Sequence, residues 1–136
     1  MTTSKNNKSY TYSIGRRREA TSIVKLFKGK GESTINKISV DKYFPLSSQK
    51  IIYNRPFVTT GTLDKYYFEA RTSGGGKIGQ LNAITLAISR ALKLISEAHG
   101  PLLRDAGLLT VDARARQRRM VGMGGKSRRK RQSPKR

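Results

Sequence analysis

The sequence has no cysteine and only one histidine, His99, in its 136 residues. Without cysteine the chain cannot form disulfides or thiolate metal sites, and one imidazole cannot supply a two-histidine metal site or a Cys–His dyad. No apolar run approaches the roughly 20 residues that a membrane-spanning helix needs. These absences exclude disulfide-stabilised, zinc-finger and transmembrane proteins, and we expect neither a metal nor a cofactor.

Acidic residues are also scarce, since 8 Asp and Glu stand against 29 Lys and Arg and the formal net charge is +21. A free protein with this charge repels itself, so the composition indicates a polyanionic partner. Nucleic acid, an anionic membrane and an acidic protein are the candidates. We favour nucleic acid, because no amphipathic segment combines a basic face with a bulky apolar face, as membrane-surface binding requires.

Three zones follow from the distribution of charge and apolar residues. Residues 1–9 are polar, lack the apolar segment of a signal peptide and are expected to be flexible. Residues 10–112 are expected to form one globular domain. Residues 113–136 hold 11 basic and no acidic residues, against 18 and 8 in residues 1–112. This basic tail has too little apolar surface to offset its ordering entropy, so we expect it to be extended, and disordered when free.

Residue patterns in the body predict an α+β domain. Residues 21–27 and 32–38 are predicted to form a hairpin around a glycine-containing turn, and residues 65–72 a third strand. Helices are predicted from their caps, breakers and apolar periodicity over residues 39–44, residues 47–53 with a break near Pro56, residues 79–98 and residues 101–106. His99 falls at a helix end and is expected to cap it.

Basic side chains in the tail are the first candidate site. The predicted RNA-binding residues there are Arg114, Arg116, Arg118, Arg119, Lys126, Arg128, Arg129, Lys130 and Arg131. Arginine outnumbers lysine in the tail by 8 to 3, which favours bidentate phosphate contacts. The tail has no aromatic residue, so its contacts should be to the backbone rather than by base stacking. A localisation signal or a solubilising tail is the alternative.

Two further motifs are candidate RNA contacts. Gly15-Arg16-Arg17-Arg18 is expected just before the first strand, where at least one arginine must face a partner or pair with a carboxylate such as Glu19. The alternative is a solvated edge that prevents sheet pairing. Lys77 follows Gly74-Gly75-Gly76 at a predicted strand–loop–helix junction that can hold a phosphate, and the alternative is a tight turn with close backbone approach.

Evidence for catalysis is weak. The carboxylates are scattered, and no acid–base pair or activated serine can be identified, so we predict no enzyme and no small-molecule substrate. Gly125-Lys126-Ser127 is similar to the end of a nucleotide-binding loop, but Met120 stands where that motif requires glycine. A free regulatory or DNA-compacting protein remains an alternative, because such a protein would use the same positive charge.

Several ordered blocks resemble the family of the ninth protein of the small ribosomal subunit, of the bacterial or organellar type. The resemblance covers most of the chain, from about Tyr12 to Arg136. The matching blocks are Ser13-Ile14-Gly15-Arg16-Arg17-Arg18, Ile35-Asn36, Tyr43-Phe44, Gly74-Gly75-Gly76-Lys77-Ile78-Gly79-Gln80, Ile88-Ser89-Arg90-Ala91-Leu92, Leu103-Arg104-Asp105-Ala106-Gly107-Leu108-Leu109-Thr110, Asp112-Ala113-Arg114 and Arg118-Arg119-Met120-Val121-Gly122.

The resemblance implies a single domain with a mixed sheet packed by helices. It also implies the unusual left-handed βαβ crossover of the second domain of the fifth small-subunit protein, against the general rule. It further implies that residues 10–112 bind ribosomal RNA in the head of the small subunit, beside neighbouring head proteins. Lys135 and Arg136 would contact transfer RNA in the P site, and the location would be the ribosome of a bacterial cytoplasm or an organelle.

The tail departs from the family pattern near its end. Ser133 stands where the family commonly has phenylalanine, and Pro134 where it has serine. Compared with the family pattern, Gly124-Gly125 contains what looks like a one-residue insertion. The contact expected of Lys135 and Arg136 therefore carries over, but any packing by the phenylalanine or hydrogen bond by the serine does not.

Overall fold

One mixed sheet of five strands organises the computed structural model, which describes residues 8–125 and 128–135. The strands are β1 (Tyr10–Arg17), β2 (Ala20–Lys28), β3 (Thr34–Ile35), β4 (Ile38–Ser39) and β5 (Tyr66–Ser73). Their order across the sheet is β1-β2-β5-β3-β4. Only the β3–β5 pair is parallel, and the connection between those two strands contains helices. The expected mixed sheet is confirmed.

The described residues also form four helices, and all of them pack on the same face of the sheet. They are α1 (Val40–Tyr43), α2 (Ser47–Thr60), α3 (Lys77–Ile95) and α4 (His99–Asp105). Alternate residues of the central strands, such as Val24, Leu26 and Phe68, point into one core shared with Ile84 and Ile88 of α3. The result is a two-layer α+β domain whose second sheet face is not covered by any described helix.

The expected hairpin between residues 21–27 and 32–38 is wrong. β2 pairs at eight positions with β1 and at eight with β5, so both of its edges are occupied. Residues 34–39 instead form the short β3–β4 hairpin, whose turn residues Asn36 and Lys37 both have positive φ. Two-residue turns with positive φ match the right-handed twist of the strands that they join. The strand-forming residues were recognisable, but their partner lies far along the chain in β5.

The sequence pattern placed Gly15 to Arg17 just before the first strand. That prediction is wrong, because these residues lie inside β1. Tyr10, Tyr12 and Ile14 alternate along this strand and face away from the helices. That alternation was the available signal for a strand. The adjoining run of arginines obscured it.

Pro56 lies inside α2, so the expected break near it is wrong. A proline within a helix removes one backbone hydrogen bond and costs about 3 kcal/mol. Burial of Tyr53, Pro56 and Phe57 offsets this cost. The Thr60 hydroxyl also donates to the Pro56 carbonyl oxygen at 3.0 Å. Packing of this face against the core therefore overrides the local preference.

The other predicted helices are confirmed with shifted ends. α3 and α4 each begin two residues before the predicted start, and Gly100 and Pro101, expected to end α3, lie in α4. The ring Nδ1 of His99 lies 3.1 Å from the Leu92 carbonyl oxygen. Because a carbonyl oxygen only accepts, Nδ1–H donates, and His99 caps the last turn of α3 as expected. No helix within the described residues has the length and hydropathy to cross a membrane.

Candidate nucleic-acid interface

Two of the predicted motifs lie together at one end of the sheet. Arg18 and Glu19 form the turn between β1 and β2, and Gly74 and Gly75 follow β5. A Cβ on Gly74 would lie 2.5 Å from the Glu19 carbonyl oxygen, and one on Gly75 would lie 3.1 Å from the Ala20 nitrogen. Both glycines also have positive φ, of 74° and 60°. This geometry supports the tight-turn interpretation, and it packs the glycine loop against the arginine-bearing turn.

Lys77, the predicted phosphate ligand of the glycine loop, is the first residue of α3 and is exposed. Its Nζ lies 3.3 Å from the centroid of the Tyr43 ring, a cation–π contact. The Tyr43 hydroxyl hydrogen-bonds Gln80 Oε1, and Gln80 Nε2 donates to the Gly74 carbonyl oxygen at 3.1 Å. Lys77 is therefore held beside the start of α3, where the helix dipole also favours an anion.

The three consecutive arginines have different environments. Arg16 and Arg18 are exposed, and Arg18 occupies the turn with a φ of 54°. The Arg17 side chain is only 13% exposed, and its Nη2 lies 3.3 Å from Oδ2 of Asp112. Its Nη1 donates to the Arg114 carbonyl oxygen at 2.8 Å. One arginine does pair with a carboxylate, but the partner is Asp112 and not Glu19.

Asp112 joins the body to the tail through an ion-pair cluster of Arg17, Asp112 and Arg114, which we call the tail latch. The Arg114 side chain donates to the Asp112 carboxylate from Nε at 3.0 Å and from Nη2 at 2.8 Å. The Arg114 backbone N–H donates to Oδ1 at 3.1 Å. These hydrogen bonds, and then the charges of Arg114 and Arg17, hold the pKa of Asp112 well below its ordinary value.

The direction of this shift sets the pH range of the latch. A carboxyl group whose pKa is lower in the folded chain stabilises the fold above its ordinary pKa, which is about 3.9 for aspartate. That contribution is lost only as the pH falls towards the lower folded value. Because the pKa of Asp112 is lowered, the latch keeps its charge at acidic pH values where an ordinary aspartate is already protonated.

A groove of about 370 Å³ lies beside the tail latch and collects arginines from three parts of the chain. Arg16 and Arg17 come from β1, Arg55 from α2 and Arg114 from the tail. Arg55 was missed in the sequence, because the predicted helix ended at residue 53 and left Arg55 outside it, next to Pro56. Guanidinium groups converging on one groove suit bidentate contacts with successive phosphates.

The tail forms no helix or strand in residues 113–125 and 128–135, where every residue except Gly124 is exposed. The Met123 N–H donates to the Met120 carbonyl oxygen at 3.1 Å, and the Arg131 N–H to that of Gly122 at 3.4 Å. The tail therefore folds back locally instead of running straight. The arginines that surround one hollow of about 490 Å³ are Arg116, Arg118, Arg119, Arg128 and Arg129.

The remaining predicted tail residues do not line this hollow. Lys130, Arg131 and Lys135 are exposed. Lys126 and Arg136 lie outside the described residues. In the part of the chain that the structure describes, no group of three or more histidine, aspartate and glutamate side chains is placed to hold a metal ion.

Comparison with known protein sequences identifies the family of this chain. The chain matches the family described as Ribosomal protein S9/S16 over residues 15–136. It is 37% identical to the small ribosomal subunit protein uS9 of Desulfovibrio desulfuricans over 117 residues. This match covers 86% of this chain and 90% of that protein. It is 38% identical over 119 residues to the protein of the same name in Maridesulfovibrio salexigens, covering 88% and 92%. From its first arginine cluster to its last residue, the chain belongs to the ribosomal protein S9/S16 family.

Proposed function

We propose that this chain is a structural component of the small ribosomal subunit that binds ribosomal RNA in the head and reaches P-site transfer RNA with its tail. The family is one of structural proteins and not of enzymes, in agreement with the sequence-based expectation. The observation that carries the proposal is the basic tail, with 11 basic and no acidic residues, joined to the body by the tail latch.

The body supplies the first part of the mechanism. Arg16 and Arg18 are exposed beside the glycine loop, and Arg55 and Arg114 extend the same basic surface along the groove beside the tail latch. Each phosphate that these side chains neutralise releases counterions, which favours binding at low salt. Because the residues come from β1, α2 and the tail, folding of the body sets their spacing. Such contacts fix the orientation of the protein on folded RNA.

The tail supplies the second part. Its charge repels itself in the free chain and is neutralised when it lies among phosphates. At its end, Lys135 and Arg136 would donate charge-assisted hydrogen bonds to the backbone of P-site transfer RNA. The neighbouring proteins of the head are further partners. The two relatives named above are bacterial, which supports a bacterial cytoplasmic ribosome as the location.

Co-sedimentation tests the ribosomal assignment. A tagged copy of the chain should migrate with small subunits in a sucrose gradient at low salt, and RNase should release it. Recovery only in the free-protein fractions would contradict the proposal. Capture that is sensitive to DNase and resistant to RNase would favour the DNA-compacting alternative.

Truncation tests the transfer-RNA contact separately. A chain that lacks residues 133–136 should still assemble into small subunits, because the body and most of the tail are retained. The truncated subunits should bind P-site transfer RNA more weakly than subunits with the full chain. Substitution of Ser133 and Pro134 by alanine, which keeps Lys135 and Arg136, is the matched control. Equal transfer-RNA affinity of full and truncated subunits would show that the terminal contact has no role.

A further inference from the structure

The sheet face opposite the helices carries side chains that a soluble domain normally covers. Tyr10 and Tyr12 of β1 are 51% and 48% exposed on this face, and Ile14 continues the same row. No described helix lies over them, since the helices share the core on the opposite face. Exposed aromatic residues in one row indicate a surface that binds another molecule.

Strand register builds a groove on this face. Tyr12 lies opposite Lys25 and Ile23 opposite Arg71 in the neighbouring strands. Together with Lys37, from the turn between β3 and β4, these residues line a hollow of about 630 Å³. That volume is in the range of pockets that hold small ligands, roughly 300–1,000 Å³.

The charge of this groove favours an anionic occupant. Lys25, Lys37 and Arg71 contribute three cations, and Glu69 is its single carboxylate. The Lys25 Nζ lies 4.9 Å from the centroid of the Tyr10 ring. Cations interleaved with aromatic rings are the combination that single-stranded nucleic acid requires, because phosphates meet the cations and unpaired bases stack on the rings.

The aromatic rings divide into a supporting set and an available set. Phe27 stacks on Tyr67 at 5.1 Å between centroids, and a Cβ on Gly31 would lie 3.0 Å from the Tyr67 ring. Tyr67 is therefore closely packed. Tyr10 lies tilted beside Phe27 at 5.6 Å, which steadies it without covering it. Tyr10 and Tyr12 remain as the rings that a base can reach.

We propose that this groove, which we call the sheet groove, binds an unpaired stretch of RNA, with bases stacked on Tyr10 and Tyr12 and phosphates held by Lys25, Lys37 and Arg71. Residues two apart on one strand are about 6.8 Å apart, close to two nucleotide steps of about 3.4 Å. Paired bases are inaccessible to such rings, so the site selects loops and bulges. The inference rests on the proposed RNA-binding function. It gives the body a base-contacting surface, which the tail lacks.

The sheet groove can be tested by measuring how tightly the full-length chain binds two ligands over a series of salt concentrations. One ligand is a 12-nucleotide oligouridylate and the other is a 12-base-pair RNA duplex. Tyr12→Ala should weaken oligouridylate binding by roughly 5- to 150-fold, the range for loss of one stacked base. The salt slope should not change, because no charge is lost. Tyr12→Phe keeps the ring and should bind like the wild type. Arg71→Ala should instead reduce the slope by roughly 0.7.

Two controls separate the sheet groove from the tail and from misfolding. Leu94→Ala removes a side chain that is 68% exposed on α3 and should change neither ligand's affinity. Duplex binding, which depends on charge, should be the same in Tyr12→Ala as in the wild type. With 4-thiouridine in the oligouridylate, ultraviolet light should crosslink the tryptic peptide of residues 9–16 as well as tail peptides.

The inference is overturned if Tyr12→Ala behaves like Leu94→Ala and crosslinks occur only in the tail. It is also overturned if Tyr12→Ala loses duplex and single-strand binding equally. If Tyr12→Ala leaves RNA binding unchanged but lowers incorporation into small subunits, the face binds a protein instead. In each of these cases a wild-type chain that still co-sediments with small subunits leaves the proposed function intact.

Discussion

Replacement of Gly15 by alanine should disrupt the contact between β1 and α3, on which both the core and the position of Arg17 depend. A Cβ at Gly15 would lie 2.0 Å from the Ala83 carbonyl oxygen and 2.8 Å from the Ala87 nitrogen. Ordinary contact begins at 3.4 Å, so the strand and helix must separate by about 1.4 Å at this point. Both obstructing groups are helix backbone and cannot rotate away.

The cost can be worked from two contributions. Overpacking of a core contact costs about 1–3 kcal/mol. Separation would also weaken two hydrogen bonds that join the same elements, from the Ser13 hydroxyl to the Ala87 carbonyl oxygen and from Arg90 Nη1 to the Ile14 carbonyl oxygen. Each contributes about 0.5–1.5 kcal/mol. We therefore expect a loss of about 3 kcal/mol in the free energy of unfolding, which lowers the Tm by roughly 12–24 °C.

Thermal unfolding followed by circular dichroism measures this effect, with Gly100→Ala as the matched control. A Cβ on Gly100 would meet only the Lys93 side chain, at 3.7 Å or more, and Gly100 lies in α4. That substitution should not destabilise the chain, because alanine is favoured over glycine in a helix by at most about 1 kcal/mol. If the Tm of Gly15→Ala lies within about 2 °C of the wild-type value, the result contradicts the close approach of β1 to α3. It then also contradicts the position of Arg17 that depends on this contact.

Two other substitutions test the turn and the tail latch. Asp112→Asn removes the charge between Arg17 and Arg114, so trypsin should cleave after Arg114 faster than in the wild type. The Tm should fall only slightly, because the Asp112 side chain is 34% exposed and solvent screens its ion pairs. Equal cleavage rates would contradict the latch. Arg18→Gly removes a side chain from a residue with a φ of 54° and should stabilise the chain by about 1 kcal/mol, measured by thermal unfolding. The same variant should reduce the salt slope of RNA binding by roughly 0.7–0.9 if Arg18 contacts one phosphate, and an unchanged slope would exclude that contact.

Local signals predicted the elements whose partners are close in sequence or whose pattern is strong. α3 has apolar residues along one face over five turns, and β5 alternates buried and exposed positions, so both were identified. The partner of β3 was not predictable in this way. It lies in β5, after two helices, and a two-residue strand contains too little pattern to specify a parallel pairing.

The candidate site was predictable in its chemistry and not in its geometry. The arginine cluster and the tail were recognisable from charge alone. Their connection through Arg17 and Asp112 was not, because the two residues are 95 positions apart and nothing in their local sequence links them. Arg55 was missed for a related reason, since its position on α2 depends on the buried packing that tolerates Pro56.

Asp112 lies at the boundary between the folded body and the basic tail. It is the last acidic residue in the sequence, so all acidic side chains belong to residues 1–112. Asp112 pairs with an arginine on each side of the boundary, Arg17 in the body and Arg114 in the tail. Beyond Arg114 the tail has no acidic side chain with which to neutralise its own charge. In the proposed function, RNA phosphates supply the compensating charge beside the basic groove of the body, where the latch holds the start of the tail.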